Sequence, residues 1–302
     1  MAPKLLFRTM AKTLTIFTPA YNRAYTLHLG YEALLRQTCQ DFEWLIIDDG
    51  STDNTRELVE GWIAENKISI RYHYQENQGM HGAHNTAYRL ITTELNTCID
   101  SDDYMPDDAV EKIVTFWKNY GSDQVAGIIG LDADFQGNII GTTFTEKQTT
   151  LGKFYTQGGK GDKKMVYRTD IINQYPEYPL FKGEKYVSLG YKYELIDQDY
   201  SLLTINEVLV NVEYRPDGSS MNMFSQYIKN PQGFAFIRKS SMQLAPTAKR
   251  RFMEAIHYVS SSLILKNSRF LQESPKKLLT LCAIPMGIAW YLFIRYKTRN
   301  IQ

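Results

Sequence analysis

Short apolar runs alternate with helix-length segments through about the first 130 residues of the chain. The apolar runs, rich in β-branched and aromatic residues, occupy residues 13–17, 42–47, 68–74, 95–99 and 125–129. Helical patterns lie between them, at residues 25–37, 53–62, 83–91 and 106–120. Strands that alternate with helices of about ten to fifteen residues are typical of βαβ units and a parallel sheet. The pattern therefore predicts an α/β fold for this part of the chain.

Polar segments lie where four of the predicted strands and turns give way to the next element. They are residues 19–22, 48–53, 79–85 and 100–103. Right-handed crossovers place the carboxyl ends of parallel strands at one edge of a sheet, and ligands bind at that edge. Four polar segments at one edge therefore predict a nucleotide-binding domain.

The strand before residue 100 ends in three carboxylates, those of Asp100, Asp102 and Asp103. Asp100 and Asp102 are two residues apart, so extended backbone directs both side chains from the same face. Such carboxylates repel each other unless a cation lies between them. Their hard oxygen ligands suit Mg²⁺ or Mn²⁺, which usually share their coordination shell with substrate phosphates. A turn or a helix cap is the alternative interpretation of the same cluster.

The composition describes an ordinary globular protein, with 43% apolar and 22% charged residues. The net charge is +1 and there is no long basic run, so nucleic acid is not an expected partner. Three widely spaced cysteines, at positions 39, 98 and 282, are interpreted as reduced, buried thiols of a cytosolic protein.

The order and spacing of four segments resemble those of the inverting family-2 glycosyltransferases, which have the GT-A fold. These segments are Thr18-Pro19-Ala20-Tyr21-Asn22 and residues 48–53, 77–85 and 100–103. The resemblance implies a Rossmann-like, mostly parallel central sheet flanked by helices. We expect a lead-in at 1–12 and a catalytic domain at 13–220, divided into a nucleotide-binding half (13–131) and an acceptor-side half (132–220). A helical carboxyl-terminal extension is expected at 221–302.

The resemblance also implies a function: a sugar moves from a nucleotide-sugar, usually a UDP-sugar, to a hydroxyl of a glycan or polyprenyl-linked acceptor. Similar proteins build bacterial surface polysaccharides. The residues expected at the nucleotide or donor sugar are Thr18, Pro19, Tyr21, Asn22, Asp49, Gly79, His81, Asn85, Asp100, Ser101, Asp103 and Arg215. Asp102, Asp100 and Asp217 are expected to hold Mn²⁺ or Mg²⁺. His84 stands where the family usually has arginine, and Asp103 has helix capping as its alternative role.

Inverting transfer needs a general base that takes the proton from the acceptor hydroxyl. The family's acidic pair matches residues 180–186, where Glu184 is the expected base and Lys185 replaces the second acid. A solvated glutamate paired with a neighbouring lysine is the alternative, and Glu194, Asp197 and Asp199 are the competing acids. Two alternative functions stay open. One is a catalytically inactive scaffold protein that binds nucleotide-sugars, and the other is a sugar nucleotidyltransferase.

Near the carboxyl end, residues 278–294 are apolar and uncharged, with basic residues on both sides. Seventeen residues is the lower limit for a membrane span. We expect membrane contact through residues 276–299, with the helix lying in the membrane plane rather than spanning it. The protein would then be cytoplasmic and peripheral, at the inner face of the plasma membrane. A helix buried against the catalytic domain is the alternative.

Overall fold

The structure, a computed structural model, describes residues 12–213 and 223–299. The strands in these ranges are β1 (Leu14–Ala20), β2 (Phe42–Asp48), β3 (Ile70–Tyr74), β4 (Leu95–Cys98), β5 (Val125–Ala133), β6 (Gln148–Thr149), β7 (Lys163–Arg168) and β8 (Ser201–Asn211). The first helices are α1 (Leu27–Leu35), α2 (Thr55–Glu65), α3 (Met80–Leu90), α4 (Ala109–Tyr120), α5 (Leu151–Thr156), α6 (Thr169–Ile172) and α7 (Gly190–Asp199). The remaining helices are α8 (Met223–Lys229), α9 (Pro231–Leu244), α10 (Ala248–Ile264), α11 (Phe270–Glu273) and α12 (Lys277–Lys297).

All eight described strands form one sheet, in the order β3-β2-β1-β4-β7-β5-β8-β6. The first four strands pair in parallel, and β5 is parallel to β8. Strand β7 is antiparallel to both β4 and β5, and β6 is antiparallel to β8. The predicted mostly parallel sheet flanked by helices is therefore confirmed, with antiparallel strands in its second half.

The sheet has a hydrophobic core on each face. In β2, Trp44 and Ile46 belong to one cluster, while Leu45 and Ile47 belong to the other. This separation follows from the two-residue period of a strand, which directs successive side chains to opposite faces. A run of buried residues without polar alternation is what helices on both sides of a parallel sheet require.

Several elements begin later in the chain than predicted, because local hydrogen bonds form a turn ahead of them. Helix α4 begins at Ala109, after a turn in which the Pro106 carbonyl accepts the Ala109 N–H at 3.0 Å. Asp53 lies ahead of α2, where its Oδ1 accepts the backbone N–H of Thr55 at 3.1 Å. Strand β8 begins at Ser201, directly after α7 ends at Asp199.

The carboxyl-terminal part of the described chain is helical, and its helix α9 packs against one face of the sheet. Ile237 of α9 belongs to the same cluster as Phe17 and Leu45 of the sheet. A separate cluster joins α9, α10 and α12, with Met242, Val259 and Ala283 buried in it. The proposed division at residue 220 stays a prediction.

Candidate active site

The carboxyl ends of β1, β2 and β4 lie side by side. Ala20 is opposite Asp48, and Phe17 is opposite Cys98 in the neighbouring strand. The polar segments that follow these strands therefore leave the same edge of the sheet, as the sequence predicts. We refer to this region as the strand-end edge.

Asn22 connects the segments that follow β1 and β2. Its Oδ1 accepts the backbone N–H groups of Thr52 at 2.7 Å and Asp53 at 3.3 Å, and its own N–H donates to the Ser51 hydroxyl. Its φ of 53° lies in the left-handed region, which asparagine tolerates better than most residues. The side chain is thus used within the protein, and its contact with the nucleotide-sugar stays a prediction.

Thr18 and Pro19, at the end of β1, are buried, whereas Tyr21 beyond the strand is 50% exposed. The Thr18 hydroxyl accepts a hydrogen bond from Trp44 Nε1 at 2.9 Å. Of these three residues, Tyr21 therefore has the ring that is open to a ligand.

Asp49 holds the loop that precedes α3. Its Oδ1 accepts Gln75 Nε2 at 2.7 Å and the Gln78 N–H at 2.8 Å, while Oδ2 accepts the Gly79 N–H at 2.8 Å. Burial raises the pKa of Asp49, and these three donors partly offset that rise. The neighbouring Asp48 accepts hydrogen bonds from the Ser51 N–H and the Tyr72 hydroxyl, so its carboxylate is used within the protein. A direct contact between Asp49 and the nucleotide stays a prediction.

Gly79 brings this loop against the segment that contains Glu184. Its φ is 79°, and a Cβ at this position would overlap the carbonyl oxygen of Lys185. Lys185 Nζ also donates to the Asn77 carbonyl. Only glycine allows this approach, so the fold places the segment that contains Glu184 beside the loop that precedes α3.

Carboxylates accumulate after β4. Asp100 is exposed, Asp102 and Asp103 are half-buried, and Ser101 is buried. Desolvation by the surrounding protein and the nearby like charges raise the pKa of the half-buried Asp103 to about 8. The helix-capping interpretation of Asp103 is wrong, because the N-cap of α4 is Asp108, and Asp103 instead accepts the Glu213 N–H at 3.4 Å.

Lys164 lies beside these carboxylates, and the sequence did not indicate it. Its ammonium group donates to the Cys98 carbonyl, and its charge lowers the pKa of Asp103 against the effect of burial. The residue is on β7, whose antiparallel insertion beside β4 brings it to the carboxylates. No local pattern around residue 164 predicts that pairing.

The described carboxylates after β4 do not form a complete metal site by themselves. Within residues 12–213 and 223–299, no group of three or more His, Cys, Asp or Glu side chains is placed to hold a metal. Asp100 and Asp102 nevertheless supply hard oxygen ligands, and nucleotide phosphates usually complete such a shell. The other two residues expected here, Arg215 and Asp217, lie outside the described residues.

The two histidines of α3 are neutral core residues. Burial lowers the pKa of both His81 and His84 to about 4. His84 Nδ1 pairs with the Met80 carbonyl at 2.9 Å, and its ring meets Phe17 edge-on at 5.0 Å. Neither ring nitrogen of His81 has a hydrogen-bond partner in the described part of the chain. His84 therefore does not supply the positive charge that the family's arginine carries at this position, and a donor contact from His81 stays a prediction.

Asn85 also faces the protein interior. Its Nδ2 donates to the Tyr178 carbonyl at 2.8 Å, and its Oδ1 accepts the Tyr178 N–H at 2.9 Å. A donor contact from this residue would require these bonds to break, and it stays a prediction.

The Glu184 carboxylate is hydrogen-bonded to the start of α9. Only 8% of the residue is exposed, and its two oxygens accept the backbone N–H groups of Gln232 at 2.9 Å and Gly233 at 2.8 Å. In return, Asn230 Oδ1 accepts the Lys185 N–H at 2.7 Å. The alternative of a solvated glutamate paired with lysine is therefore wrong. The role of Glu184 as base stays a prediction.

The competing acids on α7 have structural partners. Glu194 accepts from the Ser241 hydroxyl at 2.6 Å, and Asp199 accepts from the Tyr175 hydroxyl at 2.8 Å. Asp197 accepts the N–H groups of Leu151 and Gly152 at the start of α5. Lys185, next to Glu184, contacts Gly79 and Asn77 in the loop before α3. The hydrogen bonds given above for the three acids of α7 are to other parts of the protein.

The model of the family "Glycosyl transferase family 2" matches residues 15–175, which include all the strand-end segments. This chain belongs to glycosyltransferase family 2.

Two curated bacterial relatives, both from Escherichia coli, place the chain in its family context. A chondroitin synthase is 35% identical over 42% of this chain and 18% of its own length. The enzyme named UDP-Glc:alpha-D-GlcNAc-diphosphoundecaprenol beta-1,3-glucosyltransferase WfgD is 26% identical over 69% of this chain and 79% of its own. The chain spans 54% and 58% of two other relatives, so several relatives extend well beyond it.

Two solved structures share the GT-A fold. Staphylococcus aureus TarS 1–349, in complex with UDP-GlcNAc, aligns with a TM-score of 0.60 at 17% identity, covering 96% of this chain and 92% of that one. The mannosyltransferase PcManGT from Pyrobaculum calidifontis, in complex with GDP-Man and Mn²⁺, aligns with a TM-score of 0.55 at 16% identity, covering 96% and 84%. The predicted GT-A fold is thereby confirmed.

Proposed function

We propose that this protein is a metal-dependent, inverting glycosyltransferase that moves a hexosyl or N-acetylhexosaminyl group from a UDP-sugar to an acceptor hydroxyl. The observation that carries the proposal is the family match over residues 15–175, whose polar segments converge at one edge of the sheet. The relative WfgD is named for a UDP-Glc donor, and TarS was solved with UDP-GlcNAc, which supports a UDP-sugar.

The nucleotide would bind at the strand-end edge. Tyr21 is half exposed there, and its ring offers a surface on which a base or sugar ring can stack. Asp49 and Asn22 hold the surrounding loops, so they would position the nucleotide contacts as well as contribute to them. The same role suits Gly79, which fixes the approach of the Lys185 segment.

Asp100 and Asp102 would hold a divalent cation, Mn²⁺ or Mg²⁺. A cation bound there supplies charge neutralisation for the diphosphate that leaves. The Mn²⁺ in the complex of the P. calidifontis neighbour supports this assignment. Lys164, beside the same carboxylates, adds a fixed positive charge to this side of the site.

Glu184 would take the proton from the acceptor hydroxyl as that oxygen attacks the anomeric carbon with inversion. Each carboxylate oxygen has two lone pairs, and the N–H groups of Gln232 and Gly233 use one on each. The remaining lone pairs can accept the proton, while the two bonds keep the group in a single orientation.

The acceptor would be a glycan or a polyprenyl-linked sugar in surface polysaccharide synthesis. The relatives include a chondroitin synthase and an enzyme named for a diphosphoundecaprenol acceptor, which supports this class. A lipid-linked acceptor would require the enzyme to work at the cytoplasmic face of the plasma membrane.

Thermal denaturation with and without Mn²⁺ tests the donor site, using UDP-glucose, UDP-N-acetylglucosamine, UDP-galactose and GDP-mannose. We expect one UDP-sugar to raise the melting temperature only when metal is present, and we expect the protein to release UDP from it when acceptor is added. Asp102→Asn should abolish the metal-dependent rise, while Asp123→Asn, at a fully exposed acid, should retain it. Stabilisation without any transfer or hydrolysis would instead favour the scaffold function. Equal stabilisation of wild type and Asp102→Asn would refute the metal site.

A further inference from the structure

Helix α12 has an apolar face that the described protein leaves uncovered. It includes large side chains that are 41–81% exposed: Leu278, Leu281, Ile288, Leu292, Phe293 and Tyr296. Their spacing of three and four residues puts most of them on one side of the helix, and we call this side the outer face of α12. A contiguous apolar surface of this kind marks an interaction site.

The opposite side of α12 packs against α10. Thr280, Ala283 and Ile294 are buried there, and a Cβ on Gly287 would overlap the side chain of Val259. The two helices therefore lie in close contact around Gly287. One side of α12 is therefore docked, and the helix it docks on, α10, belongs to the carboxyl-terminal extension.

Basic residues stand at both ends of α12. Lys276 and Lys277 precede the apolar stretch, Arg295, Lys297 and Arg299 follow it, and residues 274–299 contain no acid. Lys297 lies over the Phe293 ring at 5.7 Å, and Arg299 lies over the Tyr296 ring at 4.8 Å. These cations flank the outer face, where long side chains can reach phosphate groups while their stems cover apolar surface.

We propose that α12 lies in the plane of an anionic lipid bilayer, with its outer face inserted at the boundary between headgroups and acyl chains and its basic ends on lipid phosphates. Because α10 covers its other side, α12 presents only its outer face to lipid, and the flanking lysine and arginine side chains can reach anionic headgroups. The inference extends the proposed location at the membrane, and it depends on α12 rather than on any step of sugar transfer.

By length and composition, α12 could also cross a bilayer, since its 21 residues extend for about 30 Å. A span, however, needs lipid on all sides of an isolated helix, and α12 shares a buried interface with α10. On α10, Glu254 is buried and forms ion pairs with Arg238 and Arg250. Moving this polar helix into hydrocarbon is unfavourable, so the contact with α10 favours the in-plane arrangement.

A second copy of the chain fits the outer face less well. Both ends of α12 are basic, so a partner helix would bring like charges together in either a parallel or an antiparallel arrangement. Anionic lipid phosphates, by contrast, complement both ends at once.

The test is sedimentation of the full chain with sucrose-loaded vesicles, without nucleotide-sugar, so that its result is independent of transferase activity. Vesicles of phosphatidylcholine are compared with vesicles that contain about one-third phosphatidylglycerol. We expect binding to the anionic vesicles that weakens when salt rises from about 0.1 M to about 0.5 M. Leu281→Asp with Leu292→Asp should reduce that binding at least about tenfold. Ile63→Asp, at an exposed apolar position on α2, is the matched control and should bind as wild type does.

Two further measurements distinguish the in-plane arrangement from a membrane span and from a second copy of the chain on the outer face. In a Cys282→Ser background, cysteines introduced at Lys277 and at Arg299 should both react with a membrane-impermeant maleimide added outside the vesicles. Protection of one of the two would show a span and overturn the in-plane arrangement. Light scattering should show a monomer; a dimer that the Leu281→Asp and Leu292→Asp changes dissociate would assign the outer face to a second copy. Absence of vesicle binding by the wild type would also overturn the proposal.

Discussion

Replacing Glu184 with glutamine tests the proposed base and its attachment to α9 in a single protein. The glutamine can still accept one of the two N–H bonds from Gln232 and Gly233, but its NH₂ group then faces the other donor. One buried backbone N–H loses its acceptor, at a cost of about 1–3 kcal/mol. For a chain of this size, each kcal/mol lowers the melting temperature by about 2–4 °C. Loss of a general base should lower the rate of transfer by about 10²–10⁴-fold.

Asn230→Ala is the matched control because it weakens the same junction and leaves the carboxylate in place. It removes the acceptor of the Lys185 N–H and two bonds to Gln226, so we expect a similar loss of stability. Its rate of transfer should stay within about tenfold of wild type, by the same argument. Both variants are assayed well below their melting temperatures, with UDP release as the readout. If Glu184→Gln transfers sugar as fast as Asn230→Ala, the base assignment is refuted.

Two further predictions concern the close approach at Gly79 and a half-buried histidine of α10, His257. Gly79→Ala should lower the free energy of unfolding by more than about 2 kcal/mol and weaken UDP-sugar binding, because it combines a positive φ with overlap of the Lys185 carbonyl. Gly137→Ala, with a φ of 85° and nothing within 4 Å of the added carbon, should cost about 1 kcal/mol, and equal urea-denaturation values for the two would contradict this. His257 has its pKa lowered from 6.5 to about 4, chiefly by burial, so the unfolded chain binds its proton first and the residue destabilises the fold as pH falls through that range. His257→Gln should therefore lessen the loss of stability between pH 7 and pH 4 by about 1–3 kcal/mol relative to wild type, and parallel pH profiles would refute it.

The site is partly predictable because its segments follow strands with local signals. The segments after β1, β2 and β4 lie at one edge because parallel strands share a direction, and that direction follows from the alternation of strands with helices. The carboxylates Asp100 and Asp102 were recognisable from their spacing within one segment. The three cysteines are free, but the expectation that they are buried is wrong, since Cys39 and Cys98 are half-buried and Cys282 is exposed on α12.

What the sequence did not reveal depends on contacts between distant residues. Glu184 meets Gly233 across 49 positions, and Lys164 reaches the Cys98 carbonyl across 66, through the insertion of β7. No periodic pattern in the local sequence predicts either contact, because each forms only when separate elements pack together.

The amino-acid sequence by itself determined the family, the strand-end edge and the presence of an apolar helix near residue 280. The tertiary structure decided which groups at that edge are already engaged within the protein, and which side of α12 is covered. The physical reason is that hydrophobicity favours removal from water without specifying whether protein or lipid replaces it. Hydrogen-bonding residues likewise need a partner, and only the packed chain determines which one they find.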